Sequence, residues 1–248
     1  MGNIYFVSDL HLGLHQVEKS RQRERKFVQW LDEIKQDAEA LYLLGDIFDY
    51  WFEYRKVVPR GFVRTLGKLA ELSDRGIDIH FFTGNHDVWV FDYLPSEIGL
   101  TVHNGPLITV LKGKRFYIAH GDGLGPGDPG YKLLKAIFHS KVLQWFYARI
   151  HPNASTAFAH WWSKKSRYSK GVSEAFQGEE KEEQIVFARK ILEREHFDYF
   201  VFGHRHVAMD INLNGTSRLI NLGEWIFGSS YAVFDGHELV LREYHPAS

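Results

Sequence analysis

The sequence predicts an α/β fold that forms one domain over residues 1–248. Short apolar segments alternate with longer segments of helical pattern in the first part of the chain, which is typical of strands joined by crossover helices. Farther along, pairs of short apolar segments flank glycine-containing turns, which indicates β-hairpins. The composition, with 44% hydrophobic and 25% charged residues, is that of an ordinary globular protein.

The predicted elements follow from these patterns in chain order. Two segments with helical spacing, Glu18–Lys35 and Phe62–Arg75, each lie between apolar strands. The turns Lys112-Gly113-Lys114, Asn214-Gly215 and Asp235-Gly236 each join two predicted strands, and the last two are strong two-residue hairpin signals. The predicted strands are Ile4–Val7, Leu41–Leu44, Ile77–Thr83, Leu107–Leu111, Arg115–Ala119, Asp198–Phe202, Val207–Leu213, Arg218–Asn221, Tyr231–Phe234 and Glu238–Arg242.

One segment interrupts this order, and we interpret residues 123–175 as a helical lid inserted into the domain. It begins rich in Gly and Pro, continues as the helical pattern Lys132–Ile150, and ends in Ala154–Lys170 with two tryptophans and several basic residues. The segment is too short to bury a core of its own. Its apolar side chains either line a ligand cavity or pack on the core, and its basic side chains either meet an anionic ligand or membrane or face solvent.

Composition and charge exclude several classes of protein. The 30 Lys and Arg residues balance 31 Asp and Glu, for a net charge of −1, which argues against general nucleic-acid binding. With no cysteine, the chain has no disulfide, thiolate zinc site or cysteine nucleophile, so any metal must be held by its 14 His or by carboxylates and amides. Because no signal peptide and no apolar stretch of about 20 residues is visible, we expect an intracellular protein without a transmembrane segment.

Five clusters of Asp, Asn, His and Gly directly follow predicted strands. In an extended segment, residues two apart point to one face, so Asp9 and His11 would share a face, as would His204 and His206. Ligands of open α/β sheets bind beyond the carboxyl ends of strands, and carboxylate with imidazole suits Mn, Fe or Zn. The clusters are Ser8-Asp9-Leu10-His11, Gly45-Asp46-Ile47-Phe48-Asp49, Gly84-Asn85-His86-Asp87, His120-Gly121-Asp122 and Gly203-His204-Arg205-His206.

Each cluster alone has an ordinary structural explanation. An Asp at a strand end is most often a cap or turn former, and an isolated His pair most often lies at the surface or in a satisfied core. The glycines at 45, 84, 121 and 203 are expected to allow sharp turns after a strand. Five such clusters in succession have no structural need that we can identify, and together they predict a metal site.

The order Asp-x-His, Gly-Asp-x-x-Asp, Gly-Asn-His-Asp, His-Gly-Asp and Gly-His-x-His resembles the motifs of the calcineurin-like metallophosphoesterase superfamily. The resemblance implies a four-layer αββα sandwich with a dinuclear metal site at one edge. It implies two divalent ions, with Mn as the first choice and Fe, Zn or Mg as alternatives. The implied ligands are Asp9, His11 and His206 for the first metal, Asn85, His120 and His204 for the second, and Asp46 for both.

The same resemblance implies hydrolysis of a phosphoester or phosphoanhydride. Two adjacent cations lower the pKa of a water molecule and bind phosphoryl oxygens during in-line attack. His86, next to Asn85, would stabilise charge or protonate the leaving oxygen, and Asp49 would orient His86.

Within the superfamily, the chain is similar to the UDP-2,3-diacylglucosamine pyrophosphohydrolase family of bacterial lipid A biosynthesis. The similarity rests on the chain length, the aromatic stretch Gly45–Trp51, the Asp-x-Gly-Tyr motif at 128–131 and the helical lid. It implies a nucleotide-linked glycolipid substrate, a lid that encloses acyl chains, and a cytoplasmic protein that is peripheral on the inner membrane. The implied substrate contacts are Asp128, Tyr131, Ser169 and Lys170, and Arg167 is a further candidate contact as a basic residue of the lid that could meet a diphosphate.

Two departures from that family are visible, and other functions stay open. The third motif has His86 where the family typically has Arg, and no second Ser-Lys pair follows Ser169-Lys170. One alternative is a soluble phosphatase or phosphodiesterase acting on another nucleotide-linked or phosphorylated substrate, although an open site needs no apolar lid. Another is a metal-free interaction scaffold, which would not need seven competent ligands. The near-neutral charge disfavours a nuclease, and the sequence leaves the oligomeric state undetermined.

Overall fold

The computed structural model describes residues 2–14, 17–124, 129–159, 161 and 176–246, and only the backbone of residues 129 and 131–134. The strands are β1 (Asn3–Val7), β2 (Ala38–Leu43), β3 (Asp78–Phe82), β4 (Thr101–His103), β5 (Leu107–Leu111), β6 (Lys114–Ile118), β7 (Tyr199–Phe202), β8 (Ala208–Asn212), β9 (Arg218–Leu222), β10 (Ser230–Phe234) and β11 (Leu239–Glu243). The helices are α1 (Val17–Ile34), α2 (Val63–Asp74), α3 (Tyr93–Ile98), α4 (Pro129–His139), α5 (Lys141–Tyr147) and α6 (Glu183–Leu192).

Two mixed sheets pack face to face. The first has the order β11-β10-β1-β2-β3-β4, in which β1 to β4 are parallel and β10 and β11 are antiparallel. The second has the order β5-β6-β7-β9-β8, with β6, β7 and β9 parallel between antiparallel edges. Aromatic side chains fill the space between the sheets, where the Phe6 and Phe116 rings stack 5.9 Å apart and Phe234 lies edge-on to Phe116.

Helices cover the outer faces of both sheets, so the predicted four-layer α/β arrangement is confirmed. On α1, the residues Phe27, Trp30, Leu31 and Ile34 recur at helical spacing and are buried with α2 against the first sheet. On α6, Ile185 and Ala188 are buried against Phe200 and Phe202 of the second sheet.

The structure adds elements that the sequence patterns did not predict. The helices α3 and α6 and the three-residue strand β4 were not predicted. These elements are short, so each offers few turns or residues over which a regular apolar pattern can be recognised. The turn between β8 and β9 is also longer than predicted. Leu213 pairs with Ser217, which leaves a three-residue loop around Gly215 in place of a two-residue turn.

In the segment predicted to be a lid, one long helical pattern forms two helices. Ser140 separates α4 from α5, and its hydroxyl accepts a hydrogen bond from the amide of Leu143 at 3.5 Å, as an N-cap residue does. Residues 152–159 are also helical. Among the described residues, no helix combines the length and apolar character needed to cross a bilayer.

Tyrosine and tryptophan contacts attach these helices to the loop after β2 and to the loop after β3. The hydroxyls of Tyr50 and Tyr147 are 3.2 Å apart, and Tyr54 forms a hydrogen bond with Ser155. The indole of Trp89 donates to the carbonyl of Phe138 at 2.9 Å. The helices therefore lie beside the loops that carry the second and third polar clusters.

Candidate metal centre

The five polar clusters meet at one edge of the two sheets. Asp9, Asp46 and Asn85 follow the parallel strands β1, β2 and β3, whereas His120 follows β6 and His204 follows β7. Because parallel strands of one sheet end at the same edge, the loops after them converge. The structure thus brings together all seven side chains that the family resemblance implied as ligands.

One group of ligand atoms forms around Asp9, His11 and His206. The Nε2 atom of His206 lies 3.2 Å from Asp9 Oδ1 and 3.1 Å from His11 Nε2. His11 Nε2 is also 3.7 Å from Asp46 Oδ2. The ligand atoms of Asp9, His11 and His206 all lie within 4.8 Å of one another, a separation that one metal ion can bridge.

A second group forms around Asp46, His120 and His204. His120 Nε2 is 3.5 Å from Asp46 Oδ2 and 3.3 Å from Asn85 Oδ1. The rings of His120 and His204 are 5.1 Å apart and nearly perpendicular. Since Asp46 belongs to both groups, its carboxylate is placed to contact two ions at once.

The backbone at these residues is not extended, contrary to the prediction. Seven non-glycine residues in the described part of the chain have positive φ, and five of them belong to the two groups. This left-handed conformation is costly for residues with a Cβ and is found most often at functional sites. The five residues and their φ angles are Asp9 (53°), His11 (46°), Asp46 (53°), His204 (68°) and His206 (58°).

The cluster glycines have two different roles, of which only one was predicted. Gly45 has a φ of 81° and makes the expected sharp turn. Gly203 has no positive φ, but a Cβ there would lie 2.5 Å from Asp9 Oδ2, and a Cβ at Gly84 would collide with Asp46 Oδ1. These two positions are small so that the carboxylates can approach the backbone closely.

Hydrogen bonds orient the side chains so that one atom of each points to the centre. His120 Nδ1 lies 2.7 Å from the carbonyl of Leu44, which leaves Nε2 as the inward atom. Asp9 Oδ2 accepts from the His204 amide at 2.8 Å. Asp9 Oδ1 is buried and accepts no well-aligned hydrogen bond from the described residues. A buried carboxylate oxygen left in this way among imidazole nitrogens fits a metal cation.

The electrostatics of the centre also favour a cation. Burial would raise the pKa of Asp9 and Asp46, but the neighbouring imidazoles of His206 and His120 hold both pKa values below their usual range. Burial lowers the pKa of His11 and of His204 to about 4, so both rings are neutral and able to act as ligands. The Asp46 charge outweighs burial at His120 and raises its pKa to about 10.

His86 and Asp49 lie beside the first group, in a different arrangement from the predicted one. The Asp49 carboxylate is closer to His11 Nδ1, at 3.3 Å, than to His86 Nδ1, at 3.6 Å. The carbonyl oxygen of Asp49 is 3.0 Å from His86 Nδ1. His86 can also join His11 and Asp46 as a third group able to hold a metal. Asp49 is therefore placed to orient two imidazoles, one with its side chain and one with its main chain.

Two residues that position the centre were missed by sequence reasoning. The buried Asp87 carboxylate accepts hydrogen bonds from the amides of Gly84, Asp46, Ile47 and Phe48 at 2.8–3.2 Å, which ties the second and third clusters together. The buried Arg23 of α1 donates to the carbonyls of Leu10 and His11 at 2.8 and 2.7 Å. Asp87 was visible within its motif, but nothing in the local sequence marks Arg23.

A cavity of about 760 Å³ lies between the centre and the helices α4 and α5. Asn85, His86 and His120 are among the lining residues, and most of the lining surface is apolar, with contributions from Trp89, Phe138 and Leu143. The predicted substrate contacts Asp128, Arg167, Ser169 and Lys170 and the side chain of Tyr131 lie outside the described residues.

We expect Arg23→Met to loosen the loop that carries Asp9 and His11. A buried guanidinium that donates two hydrogen bonds is lost, so the free energy of unfolding should fall by about 1.5–3 kcal/mol. Urea unfolding of the metal-loaded protein measures this. Arg21→Met, which removes an exposed arginine from the same helix, is the matched control and should change little. Equal effects of the two substitutions would contradict the positioning role of Arg23.

Known proteins resemble this chain along most of its length. Residues 2–208 match the family model of the calcineurin-like phosphoesterases. The protein named UDP-2,3-diacylglucosamine hydrolase of Porphyromonas gingivalis is 43% identical, over 96% of both chains, and its namesake of Aeromonas hydrophila is 29% identical, over 89% of both. Among solved structures, zinc-bound Vps29 of Entamoeba histolytica aligns with a TM-score of 0.47 and 10% identity, over 98% of this chain and 91% of that chain. The match to the family model and the relative in Porphyromonas, which confirm the resemblance seen in the motifs, show that this chain belongs to the calcineurin-like phosphoesterase family.

Proposed function

We propose that the protein is a metal-dependent pyrophosphohydrolase that cleaves UDP-2,3-diacylglucosamine into UMP and the acylated sugar 1-phosphate. The observation that carries the proposal is the cavity, because one continuous, mostly apolar space is lined both by the helices α4 and α5 and by candidate metal ligands. A diacylated sugar needs such a chamber, whereas a small phosphorylated substrate does not. The curated relatives at 43% and 29% identity bear the name of this activity.

The same residues supply the proposed metal site. Asp9, His11 and His206 would hold one divalent cation, Asn85, His120 and His204 would hold the other, and Asp46 would contact both. Manganese is our first choice for both ions. When bound, the pair would supply a water molecule of lowered pKa and positive charge for the phosphoryl oxygens.

The remaining groups of the site have roles that follow from their positions. The Asp49 carbonyl holds His86 Nδ1, which leaves Nε2 to exchange a proton with the reacting phosphate or to stabilise its charge. The chamber excludes water from the acyl chains. We propose Asp128, Tyr131, Arg167, Ser169 and Lys170 as further substrate contacts, on the basis of their family motifs.

We further propose that the protein works at the cytoplasmic face of the membrane where its lipid substrate resides. The exposed side chains of Val142, Trp145 and Phe146 on α5 do not line the cavity, and they form an apolar surface on the outside of the lid. The segment 55–64 adds exposed Arg55, Lys56, Arg60 and Arg64 and contains no acidic residue. Apolar and basic surface together favour an anionic bilayer.

We expect manganese-loaded protein to hydrolyse UDP-2,3-diacylglucosamine in ¹⁸O-labelled water with the label appearing in UMP. Label in UMP means that water attacks the phosphorus on the uridine side and that the acylated sugar phosphate leaves. Mass spectrometry of both products measures this. If the lipid is not cleaved while a simple aryl phosphodiester is, the metal centre is right and the proposed substrate is wrong.

We expect Asp46→Asn to lose both metal and turnover. Substitution of a residue that only orients a metal ligand costs up to about a hundredfold in activity. Asp46 is itself a candidate ligand of both ions, so its loss should lower activity by more than that. Metal content by elemental analysis and hydrolysis of both substrates measure the loss. Asp78→Asn, which changes an exposed carboxylate at the start of β3, is the control and should retain both. Full activity of the Asp46 variant would rule out the proposed centre.

We expect metal binding to release protons near neutral pH. His120, with its pKa raised to about 10, carries a proton in the metal-free protein and must lose it to act as a ligand, and Asp9 raises the pKa of His206 in the same direction in spite of burial. Affinity should therefore fall as the pH is lowered. Calorimetric titration with Mn²⁺ in two buffers of different ionisation enthalpy should give different heats, and His196→Gln, at an exposed site, should leave that difference unchanged. Identical heats in both buffers would contradict this prediction.

We expect the double variant Trp145→Ser, Phe146→Ser to bind anionic vesicles less well. Burial of one large apolar side chain in the bilayer interface contributes about 1.5–3 kcal/mol to the free energy of membrane binding. The partition coefficient of the protein between vesicles and water should therefore drop by at least about tenfold. Co-sedimentation with vesicles of phosphatidylcholine and phosphatidylglycerol measures this. The double variant Ile108→Ser, Val110→Ser removes two exposed apolar side chains from the edge strand β5 and should bind like the unaltered protein. Equal binding by both double variants would exclude the lid as the contact.

A further inference from the structure

Lys135 of α4 places a positive charge where the lid meets the metal centre. Its Nζ atom lies 2.6 Å from Asp122 Oδ2, and Asp122 follows His120 after a single glycine. The Lys135 side chain is 44% exposed, whereas that of Asp122 is 10% exposed. Among the described residues that line the cavity, Lys135 is the one lysine or arginine.

The position of this charge within the cavity suggests what it meets. Ile137 and Phe138 of the same helix line the cavity together with Lys135, and the candidate metal ligands Asn85 and His120 line it as well. If the acylated sugar occupies the chamber, as the proposed function requires, the phosphate on that sugar must lie between the chamber and the metal ligands. Lys135 is placed for this position, because its helix lines the cavity and its ammonium group contacts Asp122, two residues after His120.

We propose that Lys135 binds the sugar-side phosphate of the substrate, the phosphate that leaves with the acylated sugar. In the reaction, a bond forms from the water oxygen to the uridine-side phosphorus, the bond from that phosphorus to the bridging oxygen breaks, and the protons of the water are released to solvent. The bridging oxygen stays on the sugar phosphate and gains negative charge, which the ammonium group neutralises. The inference rests on the proposed function, because it assigns the acylated sugar to the chamber.

The ion pair with Asp122 makes this exchange feasible. A lysine ammonium is a compact charge on a flexible stem, so it can turn from one anion to another without movement of its helix. The partly exposed side chain has room to move, while the less exposed Asp122 keeps the imidazoles of His120 and His204 as its other neighbours. Asp122 thus holds the Lys135 ammonium group near the centre until the substrate phosphate replaces Asp122 as its anionic partner.

The test compares inhibitors that differ in a single phosphate. Hydrolysis of a small aryl phosphodiester by the manganese-loaded protein is the reporter, since that substrate has neither a second phosphate nor an acylated sugar. The inhibitors are 2,3-diacylglucosamine 1-phosphate, the same diacyl sugar without phosphate, and UMP. The variants are Lys135→Gln, Lys135→Arg and the control Lys141→Gln, which removes an exposed lysine at the start of α5 outside the cavity.

We expect Lys135→Gln to weaken inhibition by the diacyl sugar phosphate by about tenfold to a hundredfold, as loss of a charge-assisted hydrogen bond does. Inhibition by the phosphate-free sugar and by UMP should stay within about twofold, and Lys135→Arg should restore most of the loss. Lys141→Gln should behave like the unaltered protein in every assay.

Two results overturn the inference, and they differ in what else they affect. If Lys135→Gln weakens both diacyl sugars equally, Lys135 only positions the lid, and the proposed substrate stands. If neither diacyl sugar inhibits the unaltered protein while the reporter is cleaved, the chamber does not take an acylated sugar, and the proposed function fails together with the inference.

Discussion

The buried carboxylate of Asp46 is the constraint on which the rest of the site depends. It faces His11 on one side and His120 on the other, at 3.7 and 3.5 Å, with 2% of its surface exposed. A buried charge of this kind is unfavourable without partners of opposite charge. The imidazoles and the proposed cations supply that charge, and the surrounding loops are built to keep it in place.

Hydrogen bonds between two buried side chains and backbone groups hold the loops of the site in place. Asp87 gathers four amides from two loops, and Arg23 reaches from a helix to two carbonyls of a third loop. These charged hydrogen bonds offset part of the cost of the left-handed residues in the clusters. Gly84 and Gly203 have no side chain, so the carboxylates of Asp46 and Asp9 can lie directly against the main chain at these positions. A Cβ atom at either position would collide with the carboxylate.

The helices between residues 129 and 159 give the candidate metal centre a mostly apolar surrounding. They are attached by Tyr50, Tyr54 and Trp89, which lie on the loops after β2 and β3 that also carry the candidate ligands. A chamber fixed to those loops holds a constant position relative to the centre. The same attachment places Lys135 against Asp122, so that one helix contributes both apolar wall and positive charge.

The sequence by itself determined the α/β class, most of the strands and the identity of the clustered residues, because apolar periodicity and short motifs are local properties. It predicted extended segments at Asp9–His11 and His204–His206, where the tertiary structure has left-handed residues held by hydrogen bonds from distant loops. Only the tertiary structure decided that the Asp49 carboxylate lies nearer His11 than His86, that Arg23 and Lys135 reach the site, and that α4 and α5 line a cavity beside it. These features arise from contacts between residues far apart in the chain, and no local pattern records which distant groups will meet.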